Sequence, residues 1–102
     1  MTTLEHNIGL STELLRHIVD VIVKHANPRR IILYGSRVRG DHQPTSDIDV
    51  AVVCREGSSL FRTLIDDEVR TLLKLDIIDL DDADDHLRQQ ISREGLVVYD
   101  SV

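Results

Sequence analysis

Arg30-Ile31-Ile32-Leu33-Tyr34-Gly35-Ser36-Arg37-Val38-Arg39-Gly40-Asp41-His42-Gln43-Pro44-Thr45-Ser46-Asp47-Ile48-Asp49-Val50-Ala51-Val52-Val53 is the stretch that sets the architecture of this chain. Arg30 to Tyr34 is a short apolar run with β-branched residues ending at a glycine, the pattern of a buried strand feeding a turn. Gly35 lets the backbone approach a ligand closely and adopt dihedrals closed to other residues. With Ser36 opening a short helix, its hydroxyl and the first backbone N–H groups point at an anion, and the helix dipole favours negative charge there. Such a turn is suited to a triphosphate tail.

The second half of the stretch carries the complementary charge. Asp47 and Asp49 are two residues apart, so on a strand both carboxylates leave one face while Ile48, Val50 and Val52 line the other. Carboxylates that close repel one another, and burial raises the pKa of at least one unless a cation neutralises them. Mg²⁺ fits: it prefers oxygen ligands and commonly binds one or two carboxylates together with substrate phosphates. Pro44, Thr45 and Ser46 form a turn that sets where the strand begins. Farther along, Lys74-Leu75-Asp76-Ile77-Ile78-Asp79-Leu80 is a second strand-like segment with two further carboxylates of opposite parity. Asp76 shares a face with Ile78 and Leu80, and Asp79 shares one with Leu75 and Ile77. Parity leaves both open as a third metal ligand, although Asp79, beside Asp81 and Asp82, also reads as a solvated loop carboxylate.

Gly35-Ser36, a ten-residue spacer and Asp47-Ile48-Asp49 together resemble the signature of minimal nucleotidyltransferases of the DNA polymerase β superfamily, in particular the MNT antitoxins paired with HEPN toxins. Leu75-Asp76-Ile77-Ile78 is similar to the family's third-carboxylate strand, and the segment from His86 to Tyr99 is similar to its C-terminal part. The resemblance implies that Gly35 and Ser36 hold nucleotide phosphates, and that Asp47, Asp49 and Asp76 are the catalytic carboxylates and ligands of two Mg²⁺ ions. It implies ATP as substrate, AMP as the group moved to a hydroxyl, and a cognate HEPN-domain toxin as partner. Arg37 and Arg39, next to the cradle, are expected to neutralise triphosphate charge.

Composition bounds the remaining possibilities. The 102 residues are expected to form one nucleotidyltransferase domain, 1–102, too short to add a separate substrate-binding domain. A net charge of −6 opposes stable nucleic-acid binding, because that binding rests on basic neutralisation of phosphates. Tyr34, Phe61 and Tyr99 are the only aromatic residues, which leaves little for stacking bases. A single cysteine, Cys54, has no intrachain partner and indicates a reducing compartment. No apolar run long enough to span a membrane and no signal-like segment occurs, so the expectation is a cytoplasmic protein. The five histidines show no zinc-like spacing.

Around the motif the chain alternates helix and strand. Ser11 or Thr12 caps a helix whose Leu14, Leu15, Ile18, Val21 and Ile22 recur at helical spacing, with Asn27-Pro28 as its stop. Gly57-Ser58-Ser59 leads to a second helix with Leu60, Leu64, Val69, Leu72 and Leu73 as its apolar stripe and Asp66-Asp67-Glu68 as a solvated face. The acidic run Asp81-Asp82-Ala83-Asp84-Asp85 precedes a third helix reaching Glu94, with Leu87 and Ile91 inward and Gly95 as its stop. Leu96 to Tyr99 reads as a final strand. The expected fold is α/β: a small mixed sheet with helices packed on one face and the carboxylates on the other, a polymerase β-like nucleotidyltransferase palm.

Three functions fit these features. One is transfer of AMP to a tyrosine of a HEPN RNase toxin, silencing it. The second is a binding antitoxin that masks the toxin surface without chemistry. The third is adenylylation of a small, antibiotic-type molecule, for which a homo-oligomer would build the pocket between subunits.

Overall fold

A computed structural model describes residues 8–54, 61–69 and 71–101. Its elements run α1 (Thr12–Ala26), β1 (Pro28–Tyr34), α2 (Ser36–Arg39), β2 (Ile48–Cys54), α3 (Phe61–Glu68), β3 (Leu75–Asp79), a 3₁₀ turn (Leu80–Asp82), α4 (Asp85–Glu94) and β4 (Leu96–Asp100). The four strands form one mixed sheet in the order β3-β2-β1-β4. β1 is antiparallel to both β2 and β4, whereas β2 and β3 are parallel and joined through α3.

Local chemistry explains α1 at both ends. The Ser11 side chain accepts from the Leu14 N–H, satisfying one of the first helical donors, and Glu13 lies early while Lys24 and His25 lie late, as the dipole favours. Asn27 ends the helix in a left-handed conformation, φ 44°, a geometry asparagine tolerates better than most residues. Leu15, Ile18, Val21 and Ile22 lie on one stripe and pack against Ile31, Leu33, Val50 and Val52 of the sheet. Burying each large aliphatic side chain in that layer contributes about 1.5–3 kcal/mol.

α1 and α3 cover the face of the sheet that carries Ile31, Leu33, Ile48, Val50, Val52 and Ile77. The opposite face carries Ile32, Tyr34 and Ala51, and α4 lies over one end of it through Ile91 and Leu87. α1 and α3 therefore share one face, and α4 leaves part of the other face open. Cover on both faces is why β1 is continuously buried from Ile31 to Tyr34 rather than alternating.

Several expectations shift at the periphery. Gly57, Ser58, Ser59 and Leu60 lie outside the described residues. The second helix ends at Glu68 and does not continue to Leu73. Val69 remains buried and Leu73 packs on the core, but Leu72 points fully into solvent. The Thr71 hydroxyl accepts from the Leu73 N–H, a local bond of the kind that competes with helix before the chain enters β3. Glu68 is not simply solvated: it meets Lys24 Nζ at 3.2 Å and His25 Nε2 at 2.8 Å, joining α3 to α1. In the acidic run, Asp84 caps α4 by accepting from Leu87 N–H at 2.8 Å, and Asp85 falls in the first turn. Gly95 ends α4 with an ordinary φ of −65°, so its need for glycine is packing: a Cβ there would press on Ile32 and the Ile91 carbonyl.

Candidate active site

The site is assembled at the ends of three strands. β1 delivers Tyr34 and then Gly35, β2 delivers Asp49 just after Asp47, and β3 delivers Asp76. Register places them in one row, since Tyr34 stands opposite Asp49 across the antiparallel pair and Asp49 stands beside Asp76 across the parallel pair. Side chains at aligned positions of neighbouring strands leave the same face. The row therefore lies on the face opposite α1 and α3, on the part that α4 leaves open.

Asp79 has the other parity. It aligns with Val52 on the helix-covered face and is 6 % exposed, so it is neither at the site nor a solvated loop carboxylate. Its Oδ1 accepts from Asp81 N–H at 3.0 Å and caps the 3₁₀ turn. It also lies against Cys54, whose thiol is pushed up to about 11, first by burial and then by the charge of Asp79. The two carboxylates should part cleanly on substitution. Asp76→Asn is expected to lower nucleotidyl transfer by at least about 10²-fold with little change in melting temperature. Asp79→Ala is expected to cost on the order of 1 kcal/mol of stability through the lost cap and to change the rate little. Rates and thermal midpoints measured on both variants check this, and the reverse pattern would move the site to the other face.

The charges of the acidic row act on one another. The pKa of Asp49 is raised by burial, then by Asp76 and Asp47, and is partly held down by Arg39 and Lys74. The Tyr34 hydroxyl is pushed up to about 12 by burial, then by Asp49 and Asp76. Among the described residues no three His, Cys, Asp or Glu side chains form a ready-made metal cage. A row of mutually repelling carboxylates, with Asp47 and Asp76 exposed and Asp49 half-buried, instead matches the donor set for a hard cation whose shell is completed by water and substrate phosphate.

Gly35 joins the cradle to this row. Its φ of 84° and ψ of −157° lie in a region essentially restricted to glycine, and a Cβ there would overlap Asp49 Oδ2. The next residues turn into α2, where Val38 and Arg39 N–H groups bond back to the Gly35 carbonyl at 3.2 and 3.1 Å. The Ser36 and Arg37 N–H groups are the first of the helix, a position with no preceding carbonyl to bond. The expected turn before β2 is present as well: Ser46 N–H bonds Gln43 O at 3.0 Å, with Pro44 second in the turn.

The two arginines separate. Arg39 is 40 % exposed and pairs with Asp41 at 3.3 Å and Glu94 at 3.2 Å, placing a solvent-accessible cation where it acts on Asp49. Arg37, expected to meet the triphosphate, is instead 3 % exposed. Its Nε and Nη2 donate to Ser46 O, Nη2 also to Pro44 O, and Nη1 to Ile8 O and Gly9 O. A guanidinium has five N–H donors, and these five bonds engage them all, so the phosphate role assigned to Arg37 is corrected to a structural one. Two further residues stand beside the candidate row, Lys74 and Tyr34. Lys74 shares parity with Asp76 and was visible as a cation two residues upstream; Tyr34 was visible only as the last residue before Gly35.

A glycine turn abutting two strand-borne carboxylates, with Asp47 just before β2, defines a class, and the chain belongs to it: the family described as polymerase beta, nucleotidyltransferase, matches residues 16–101. A protein of Methanocaldococcus jannaschii named for an inferred protein adenylyltransferase activity is 40 % identical over 48 residues, which are 47 % of this chain and 50 % of that protein. The chain thus spans about half the length of this curated relative. Among solved structures, one of a toxin–antitoxin with AMP-PNP superposes with a TM-score of 0.72 at 23 % identity, covering 84 % of this chain and 73 % of that chain. A complex of tri-AMPylated Shewanella oneidensis HEPN toxin with MNT antitoxin gives 0.69 at 20 % identity, covering 90 % and 74 %. A protein from Sulfolobus solfataricus described by an inferred nucleotidyltransferase activity gives 0.57 at 22 % identity, covering 87 % and 79 %. At these identities the structural likenesses establish a shared fold.

Proposed function

We propose that this chain transfers AMP from ATP to a hydroxyl with Mg²⁺, that the acceptor is a tyrosine of a cognate HEPN-type toxin, and that the modification silences that toxin. The observation that carries the reading is the row Asp49–Asp76 placed side by side by the parallel register with the Gly35 backbone against Asp49. Asp47, Asp49 and Asp76 would hold the metal. When bound, it would orient the triphosphate and offset charge on the attacking and leaving oxygens.

The chain's own groups divide the remaining work. Gly35 and Ser36 seat the phosphates, and Arg39 and Lys74 supply positive charge beside them. The acceptor oxygen attacks the α-phosphorus, the bond to the β-phosphate oxygen breaks, and pyrophosphate leaves. Asp76 is the exposed carboxylate on the edge strand and takes the hydroxyl proton, because an acceptor can approach there without crossing the sheet. AMP transfer is supported by the relative named for protein adenylyltransferase activity and by the fold shared with an antitoxin complexed to an AMPylated toxin. The net charge of −6 argues against nucleic acid as acceptor. Among the described residues no helix is long and apolar enough to cross a membrane, and the unpaired Cys54 supports the cytoplasm as the site of action.

The test is the intact mass of the protein encoded beside this one after incubation with this chain, ATP and Mg²⁺, with Asp47→Asn as control. A gain in steps of one AMP, absent with the variant, is expected. A stable complex with no gain would favour a binding antitoxin, and neither gain nor complex would direct the search to small-molecule acceptors.

A further inference from the structure

We propose that Arg37 is a positioning residue that locks the loop leading into Asp47 to the segment before α1, so that the metal-binding geometry of the site depends on Ile8 and Gly9. The inference rests on the functional reading above for its consequence, although not for its geometry. Arg37 bonds four backbone carbonyls drawn from two places: Ile8 O at 2.9 Å and Gly9 O at 3.3 Å before α1, and Pro44 O at 3.2 Å and Ser46 O at 2.8 Å in the motif loop. Its Nε adds a second bond to Ser46 O at 3.2 Å. Ser46 is the residue immediately before Asp47, so the clamp acts one peptide from a proposed ligand.

Both sides of the clamp are fitted to it. Ile8 is 2 % exposed and belongs to the main core, which anchors the first strap. Gly9 has φ 73°, and a Cβ added there would lie 2.7 Å from Arg37 Nη1 and 2.7 Å from His42 Nε2. Gly9 is thus wedged between the guanidinium and a second residue of the motif loop, 33 positions away in sequence. Turn Gln43–Ser46 is further closed on itself, since Ser46 Oγ accepts from Gln43 N–H at 2.8 Å. A planar fork with five fixed donors is needed to reach four carbonyls; the point charge of a lysine cannot.

Two variants reach the clamp from its two ends: Arg37→Lys, which keeps the charge and removes the fork, and Gly9→Ala, which presses on the guanidinium from outside the motif. Amide hydrogen exchange is read at Ser46 and Ile48, with Ile18 and Ile22 as internal controls. Mn²⁺ affinity is read with a non-hydrolysable ATP analogue present, and affinity for that analogue is read without divalent ion. Both variants are expected to speed exchange at Ser46 and Ile48 at least about tenfold and to weaken Mn²⁺ binding by about tenfold, while metal-free nucleotide affinity stays within twofold. Unchanged exchange in Arg37→Lys would overturn the clamp. Faster exchange with unchanged Mn²⁺ affinity would overturn its positioning role, and a loss confined to metal-free nucleotide affinity would return Arg37 to the phosphates. A wild-type chain that binds neither Mn²⁺ nor nucleotide would overturn the functional reading and with it the positioning role, leaving the exchange result to judge the clamp.

Discussion

Asp49→Asn is expected to lower AMP transfer on the order of 10³-fold while leaving the metal-free protein as stable as the parent or more so. The two effects have one origin. Asp49 is the central member of the row, half-buried, with Asp76 beside it on β3 and Asp47 two residues upstream. Its pKa is raised by burial and by both neighbours. A carboxyl whose folded-state pKa lies above its unfolded value disfavours folding once ionised, so its penalty grows as pH rises through the ordinary carboxylate range and persists to neutral pH. Asparagine removes that penalty. It also removes a charged oxygen ligand, and loss of roughly 4 kcal/mol of transition-state stabilisation corresponds to about 10³ in rate. Asp47→Asn should match it in rate with a smaller stability change, because Asp47 is exposed. Steady-state rates with thermal melts in the absence of metal decide the matter. Full activity in both variants would remove the carboxylate row from the mechanism, and a large loss of stability in Asp49→Asn would show it to be a structural group.

Gly35→Ala is expected to lose both properties at once. The backbone at Gly35 lies in a region that costs other residues about 1–3 kcal/mol, which for a domain of this size lowers the melting temperature by roughly 5–20 °C. The added methyl also overlaps Asp49 Oδ2, so the protein can keep its backbone only by turning that carboxylate away. Transfer is expected to fall at least about 10²-fold, since a displacement near 1 Å at the reacting centre is enough for that. Comparison with Asp49→Asn separates cause from effect: one variant removes the carboxylate charge, and the other moves the carboxylate while keeping it charged. Restoring the parental melting temperature with a stabilising substitution elsewhere should leave the rate of Gly35→Ala low. Recovery of the rate with stability would show that the turn contributes only to folding.

What the sequence by itself determined were the features that depend on near neighbours along the chain. Helical spacing and a serine cap defined α1, alternation defined β2, and Gly35-Ser36 with Asp47 and Asp49 marked the candidate site, because period and turn chemistry act within a few residues. The choice between Asp76 and Asp79 needed the tertiary structure: parity divides a strand into two faces, and only the register with β2 shows which face joins Asp49. The end of α3 at Glu68 and the pairing of Glu68 with Lys24 and His25 depended likewise on how α3 meets α1 and β3. Arg37 shows the limit most plainly. Beside a phosphate cradle an arginine reads as a phosphate ligand, and its engagement by Ile8, Gly9, Pro44 and Ser46 exists only once residues distant in sequence are packed together. Charge and spacing are written locally, whereas the partner that satisfies a buried donor is a property of the folded chain.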